Sequence, residues 1–144
     1  MLGILQRSRV GTLSRVRAGV IPNTLKVTLH GAINATVKTG ATIYTDRYRS
    51  YRTLSGYDHH MIDHALEYVN GRIHTNGIEG FWSQLKRSIK GTYISVEPFH
   101  LDRYVDEQVC RFNNRKLNDS ERFQEVMSRA VGRRLTYEKL CETC

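Results

Sequence analysis

Three side chains whose types and spacing suit phosphoryl transfer stand at Asp46, Glu79 and Lys86. Asp46 closes the apolar run Ala41-Thr42-Ile43-Tyr44-Thr45, which reads as a buried strand. Glu79 falls in a helical pattern in which Ile78, Trp82, Leu85 and Ile89 recur on one face. Lys86 follows seven residues after Glu79, two helical turns on, so both point along one edge of that stripe. A carboxylate at a strand end, another on a helix and a cation two turns later make a phosphoryl-transfer set. Such chemistry uses carboxylates to hold Mg²⁺ against a scissile phosphate. Each residue also has a plain alternative. Asp46 is suited to capping the helix that follows it, and Glu79 and Lys86 taken singly suit a solvated helix surface.

The elements that must position them follow from periodicity and punctuation. Leu2 to Gln6 and Leu13 to Ile21 read as strands around a turn at Gly11-Thr12, with Arg7, Arg9, Arg15 and Arg17 making one side basic. Asn23 or Thr24 caps a helix whose apolar side is Leu25, Leu29, Ala32 and Ile33, closed by Thr39-Gly40. After Asp46 come a short helix over residues 47–54 and a strand from His59 to His64. Gly91 is placed to end the Glu79 helix, with Trp82 in its core stripe. Pro98 opens a helix to about Asn114 bearing Leu101, Val105, Gln108 and Phe112. Asn118-Asp119 caps a last helix with Phe123, Val126, Met127, Ala130 and Val131 at core spacing. The order gives an α/β fold: helices on a mixed sheet, then a helical tail over about residues 98–140. The 144 residues suit one domain.

Composition bounds the partners. A net charge of +8 favours a polyanion, because Lys and Arg that neutralise phosphates release counterions. No apolar run reaches the length of a membrane span and the N-terminus has no signal-peptide h-region, so the expectation is a cytoplasmic protein without a membrane partner. The three cysteines make no disulfide framework, and Cys141-x-x-Cys144 is half a zinc site without its other half. His59, His60, His64 and His74 lack a ligand spacing and fit backbone hydrogen bonding or DNA contact better. Candidate DNA contacts are Arg47, Arg49, Arg52, His74, Asn76, Arg87 and Lys90, set against an exposed basic face. Tyr48 and Tyr51 suit either base stacking or core packing.

One ordered set of blocks carries a family resemblance. It comprises Tyr44-Thr45-Asp46 with Tyr51; His74-Thr75-Asn76-Gly77-Ile78-Glu79-Gly80-Phe81-Trp82; Leu85-Lys86-Arg87; Gly91-Thr92-Tyr93; His100-Leu101-Asp102-Arg103-Tyr104; and Glu107 with Arg111-Phe112-Asn113. With these the chain resembles the DDE-type transposases of insertion sequences, in the ISXO-two-like branch of the IS-fifteen-ninety-five group. The resemblance implies a ribonuclease-H-like mixed sheet, DNA cleavage and strand transfer with Mg²⁺ or Mn²⁺, and DNA ends and target as partners. It further implies a second copy or a full-length transposase as a possible associate. It assigns Asp46 and Glu79 to metal binding and Lys86 to the trailing basic position. The family's first Asp stands on a first strand ahead of the segment that matches Leu2 to Gln6, and residues 1–45 contain no Asp or Glu. The expectation is therefore an N-terminally truncated copy with its first strand missing, cutting DNA at no useful rate. The alternative is a non-catalytic fragment that binds DNA or a transposase.

Overall fold

The computed structural model describes residues 1–8, 11–62, 76–93 and 96–137. Expectations that rest on Arg9, His64, His74, Cys141 and Cys144 lie outside the described residues. The elements are β1 (Leu2–Gln6), β2 (Arg15–Gly19), α1 (Lys26–Thr36), β3 (Thr42–Asp46), β4 (Asp58–Ile62), α2 (Asn76–Ser88), α3 (Leu101–Asn113) and α4 (Asp119–Ala130). An α/β arrangement is present, but among the described residues the strands form two separate ribbons rather than one mixed sheet. β1 and β2 pair antiparallel, with Leu2 opposite Gly19 and Gln6 opposite Arg15. β3 and β4 pair in parallel, with Thr42 opposite Asp58 and Asp46 opposite Ile62. The ribbons approach where the Arg7 guanidinium lies over the Tyr44 ring, 4.3 Å from its centroid, a side-chain contact that adds no strand pairing.

The centre of the structure is built on α2, α3 and the first ribbon. Val16, Phe81, Leu85 and Val105 are its largest fully buried side chains. Phe81 meets Trp82 and Phe112 edge-on, with centroids 5.0 and 5.7 Å away. The expected stripe of Ile78, Trp82, Leu85 and Ile89 therefore needs correction. Its axis runs through Phe81 and Leu85, and Trp82 is only half-buried. The reason is local geometry: a Cβ on Gly3 of β1 would stand 2.5 Å from Trp82 Cζ2. The indole stands close against the bare backbone of Gly3, and Phe81 is the side chain that is fully buried.

Other boundaries shift for similar local reasons. α1 begins after Leu25 without a side-chain cap. Asn23 Oδ1 instead accepts from Leu25 N at 3.1 Å and from Thr28 Oγ1 at 2.7 Å, organising the turn before the helix. Leu29 and Ile33 are buried but Leu25 is 65% exposed. Gly91 does not terminate the Glu79 helix, because α2 widens into a π turn at Ile89–Tyr93 that contains it. Pro98 opens a 3-10 turn at Pro98–His100, and α3 starts one residue later. The cap at Asn118 forms as expected, in a reciprocal box with Glu121. The apolar stripe behind it does not reach the core, since no residue of α4 is buried.

Candidate functional site

Asp46 is the last residue of β3 and is exposed. Its Oδ1 accepts from Tyr48 N at 3.1 Å, so the carboxylate holds the chain's turn away from the strand, as Asp does in an Asx turn. The carboxylate thus holds the turn without capping the 3-10 turn that follows, whose N-cap position is Tyr48 and carries no side-chain cap. Tyr51, on the 3-10 turn Arg49–Tyr51, lies within the field of Asp46: burial first, then that carboxylate and Tyr48, raise the Tyr51 pKa. Tyr48 packs edge-on against Tyr51 at 6.2 Å and its hydroxyl meets Thr24 Oγ1 at 3.0 Å. Both tyrosines thus serve packing here, with Tyr48 43% exposed.

Glu79 is exposed in the first turn of α2, and Lys86 and Arg87 are exposed in its last turn. A carboxylate at a helix N-terminus and cations at its C-terminus both complement the helix dipole. Glu79 and Lys86 stand about 10 Å apart along the helix axis, at 1.5 Å per residue. Asn76 opens the same helix, and Lys90 lies on the π turn that continues it. Arg47, Arg49 and Arg52 surround the turn after Asp46, all exposed. His74 lies outside the described residues. The remaining described histidines of the expected group are occupied. His59 Nε2 meets Thr45 Oγ1 at 2.9 Å, and burial lowers its pKa. His60 stacks on Tyr44 at 5.4 Å and meets Asp58 at 3.2 Å.

Carboxylate oxygens suit hard divalent cations, and Mg²⁺ is commonly held by one or two carboxylates while keeping waters and substrate phosphates. Asp46 and Glu79, exposed on separate elements, match that donor type. Among the described residues no group of three His, Cys, Asp or Glu side chains could hold a metal ion.

A second feature was not visible in the spacing. An open cleft of about 330 Å³ between α2 and α3 carries Arg87, Arg111 and Arg115 on its rim, with Gln84, Gln108 and Phe112. Arg111 pairs with Glu107 at 2.8 Å, and Arg115 lies over the Phe112 ring while donating to Ser14 O at 3.0 Å. Helical periodicity does not mark the cleft, since Arg115 lies past the end of α3 at Asn113.

The blocks toward the C-terminus turn out to be scaffold. Asn113 receives a hydrogen bond from Val16 N at 2.8 Å and donates one to Val16 O at 2.9 Å, acting as a strand partner for the outer edge of β2. Asp102 accepts from Val20 N at 3.0 Å, so α3 clamps the same edge at two points. Glu107 accepts from Tyr93 Oη at 2.5 Å and from Arg111 Nε at 2.9 Å. Burial pushes the Glu107 carboxyl up, but the two donors outweigh it and its pKa is lowered, while Tyr93 is raised chiefly by its bond to Glu107.

The model of the ISXO2-like transposase domain matches residues 1–113, and the chain belongs to that family. An uncharacterized transposase-like protein of Haemophilus influenzae is 32% identical over 105 residues, spanning 72% of this chain and 85% of that protein. No solved structure matches the chain. No described helix is long and apolar enough to cross a membrane.

Proposed function

We propose that this chain handles DNA in a transposition reaction, with Asp46 and Glu79 as the carboxylates at the scissile phosphate and the basic side chains around them as its DNA grip. The observation that carries this is the pairing of position with family. In a chain of the ISXO2-like transposase domain family, Asp46 ends a parallel strand and Glu79 opens a helix that closes on Lys86 and Arg87. Mg²⁺ or Mn²⁺, when bound, supplies charge stabilisation for attacking and leaving oxygens. Asp46 and Glu79 would hold it. Lys86, Arg87, Lys90 and Asn76, with Arg47, Arg49 and Arg52 after β3, would position the phosphate backbone. Phosphate contacts of this kind fix register without reading sequence.

Two carboxylates hold one ion less firmly than a fuller set, and misplacing an attacking oxygen by about 1 Å costs on the order of a hundredfold. Turnover by this chain is accordingly expected to be slow, and DNA binding is the sharper readout. In fluorescence anisotropy with duplex DNA, affinity should fall steeply as salt rises and differ little between unrelated sequences. Arg87→Ala and Lys90→Ala should each reduce the salt slope by roughly one. Affinity that ignores salt, or depends on one sequence alone, would overturn the proposal.

A further inference from the structure

The helix α4 is built inside out relative to its neighbours. Phe123, Val126 and Met127 are 65%, 52% and 49% exposed, while Arg122 and Glu125 on the other side are half-buried. Arg122 Nε is wholly shielded and makes no hydrogen bond. With Ala130, the apolar residues form a stripe at i, i+3, i+4 and i+7 along one face. The helix is firmly started by its Asn118–Glu121 box and stiffened by the pairs Asp119–Arg122 and Glu125–Arg129. It is therefore a formed element with an exposed apolar face, beyond the span that the family model matches.

What covers the face is indicated by how its ends are charged. Asp119 lies four residues before Phe123, on the stripe's own line, with a side chain 98% exposed. Past Ala130, a turn in which Arg133 N donates to Ala130 O at 3.0 Å places Arg133 and Arg134 at the opposite end. The stripe is thus acidic at its start and basic at its finish. A second copy laid antiparallel, with the two-fold axis between Val126 and Met127, sets Phe123 opposite Ala130, a large side chain against a small one. It also brings each Asp119 to the other copy's Arg133 and Arg134 and opposes the two helix dipoles.

We infer that α4 is a self-association surface, pairing antiparallel with α4 of a second copy of this chain. The inference is independent of the DNA reading. A contact of two short helices falls at the low end of specific interfaces, under about 1,200 Å², so the dimer is expected to be weak, with Kd in the micromolar range. Sedimentation velocity of the full chain across about 1 to 500 μM tests it, the span being set by that expected affinity. The wild-type protein should shift from monomer to dimer. Phe123→Glu with Met127→Glu should remain monomeric with unchanged circular dichroism. Direction is tested by charge. Arg133→Glu with Arg134→Glu, and separately Asp119→Lys, should each weaken self-association, whereas an equimolar mixture of the two variants should recover a heterodimer. A wild-type monomer at every concentration, a dimer indifferent to the Phe123 and Met127 changes, or a mixture that fails to recover would overturn the inference.

Discussion

The polar residues of the family blocks divide between two faces of the molecule. Along α3, Asp102, Glu107, Arg111 and Asn113 spend their hydrogen-bonding atoms on the protein itself, clamping β2 and holding the π turn through Tyr93. Around the end of β3 and along α2, Asp46, Glu79, Lys86 and Arg87 stand exposed. Asp102 and Asn113 hold backbone groups at the edge of β2, and Asp46 likewise holds Tyr48 N, so the two faces differ in exposure and not in whether their polar atoms bond. Exposed polar residues beside a basic surface are where function is best sought.

The contrast can be broken most forcefully from the scaffold side. Phe81→Ala should cost about 3–5 kcal/mol in urea unfolding, because Phe81 is fully buried between Trp82 and Phe112. Asn113→Ala leaves Val16 N and O without their side-chain partner, and about 2 kcal/mol or more should be lost. Gly3→Ala forces a methyl against the indole of Trp82, so about 1–3 kcal/mol of overpacking is expected, relieved in a Gly3→Ala, Trp82→Leu double variant. If Asn113→Ala unfolds at the wild-type denaturant midpoint, the clamp is not structural and the comparison fails.

Smaller effects should appear in pH dependence. Glu107 has its pKa lowered in the folded chain, so its contribution is present above the unfolded carboxyl value and lost as pH falls through the folded one. Tyr93 has its pKa raised, so its contribution is present below the unfolded phenol value and lost as pH rises through the folded one. Glu107→Gln should flatten the acid limb of a thermal-stability profile. Tyr93→Phe should flatten the alkaline limb. Profiles superimposable on wild type would show that the network carries no stability.

Much of what positions the candidate residues was legible before the structure. The strand that ends at Asp46, the helix bearing Glu79 and Lys86 and the Asn118 cap are all written in local pattern. What was illegible depends on distant partners. The Asn113 to Val16 bonds join residues 97 positions apart, and no periodicity announces such a contact. Phe81 lies three residues after Ile78, so counting from Ile78 to Trp82 selected the wrong edge of a wide stripe. Gly91 carried a stop signal that the π turn overrode. α4 had the same amphipathic spacing as α3, whose Val105 is buried. Periodicity states that a face wants cover and is silent on what covers it.

The central proposal is that Asp46 and Glu79 serve chemistry. The most direct test is DNA affinity of the full chain with Mn²⁺ and with EDTA, for wild type and for Asp46→Asn with Glu79→Gln, alongside urea unfolding of both. Mn²⁺ should strengthen wild-type binding and leave the double variant unchanged, while stability differs by no more than about 0.5 kcal/mol per exposed substitution. A double variant that responds to Mn²⁺ as the wild type does, or that loses several kcal/mol of stability, would contradict it.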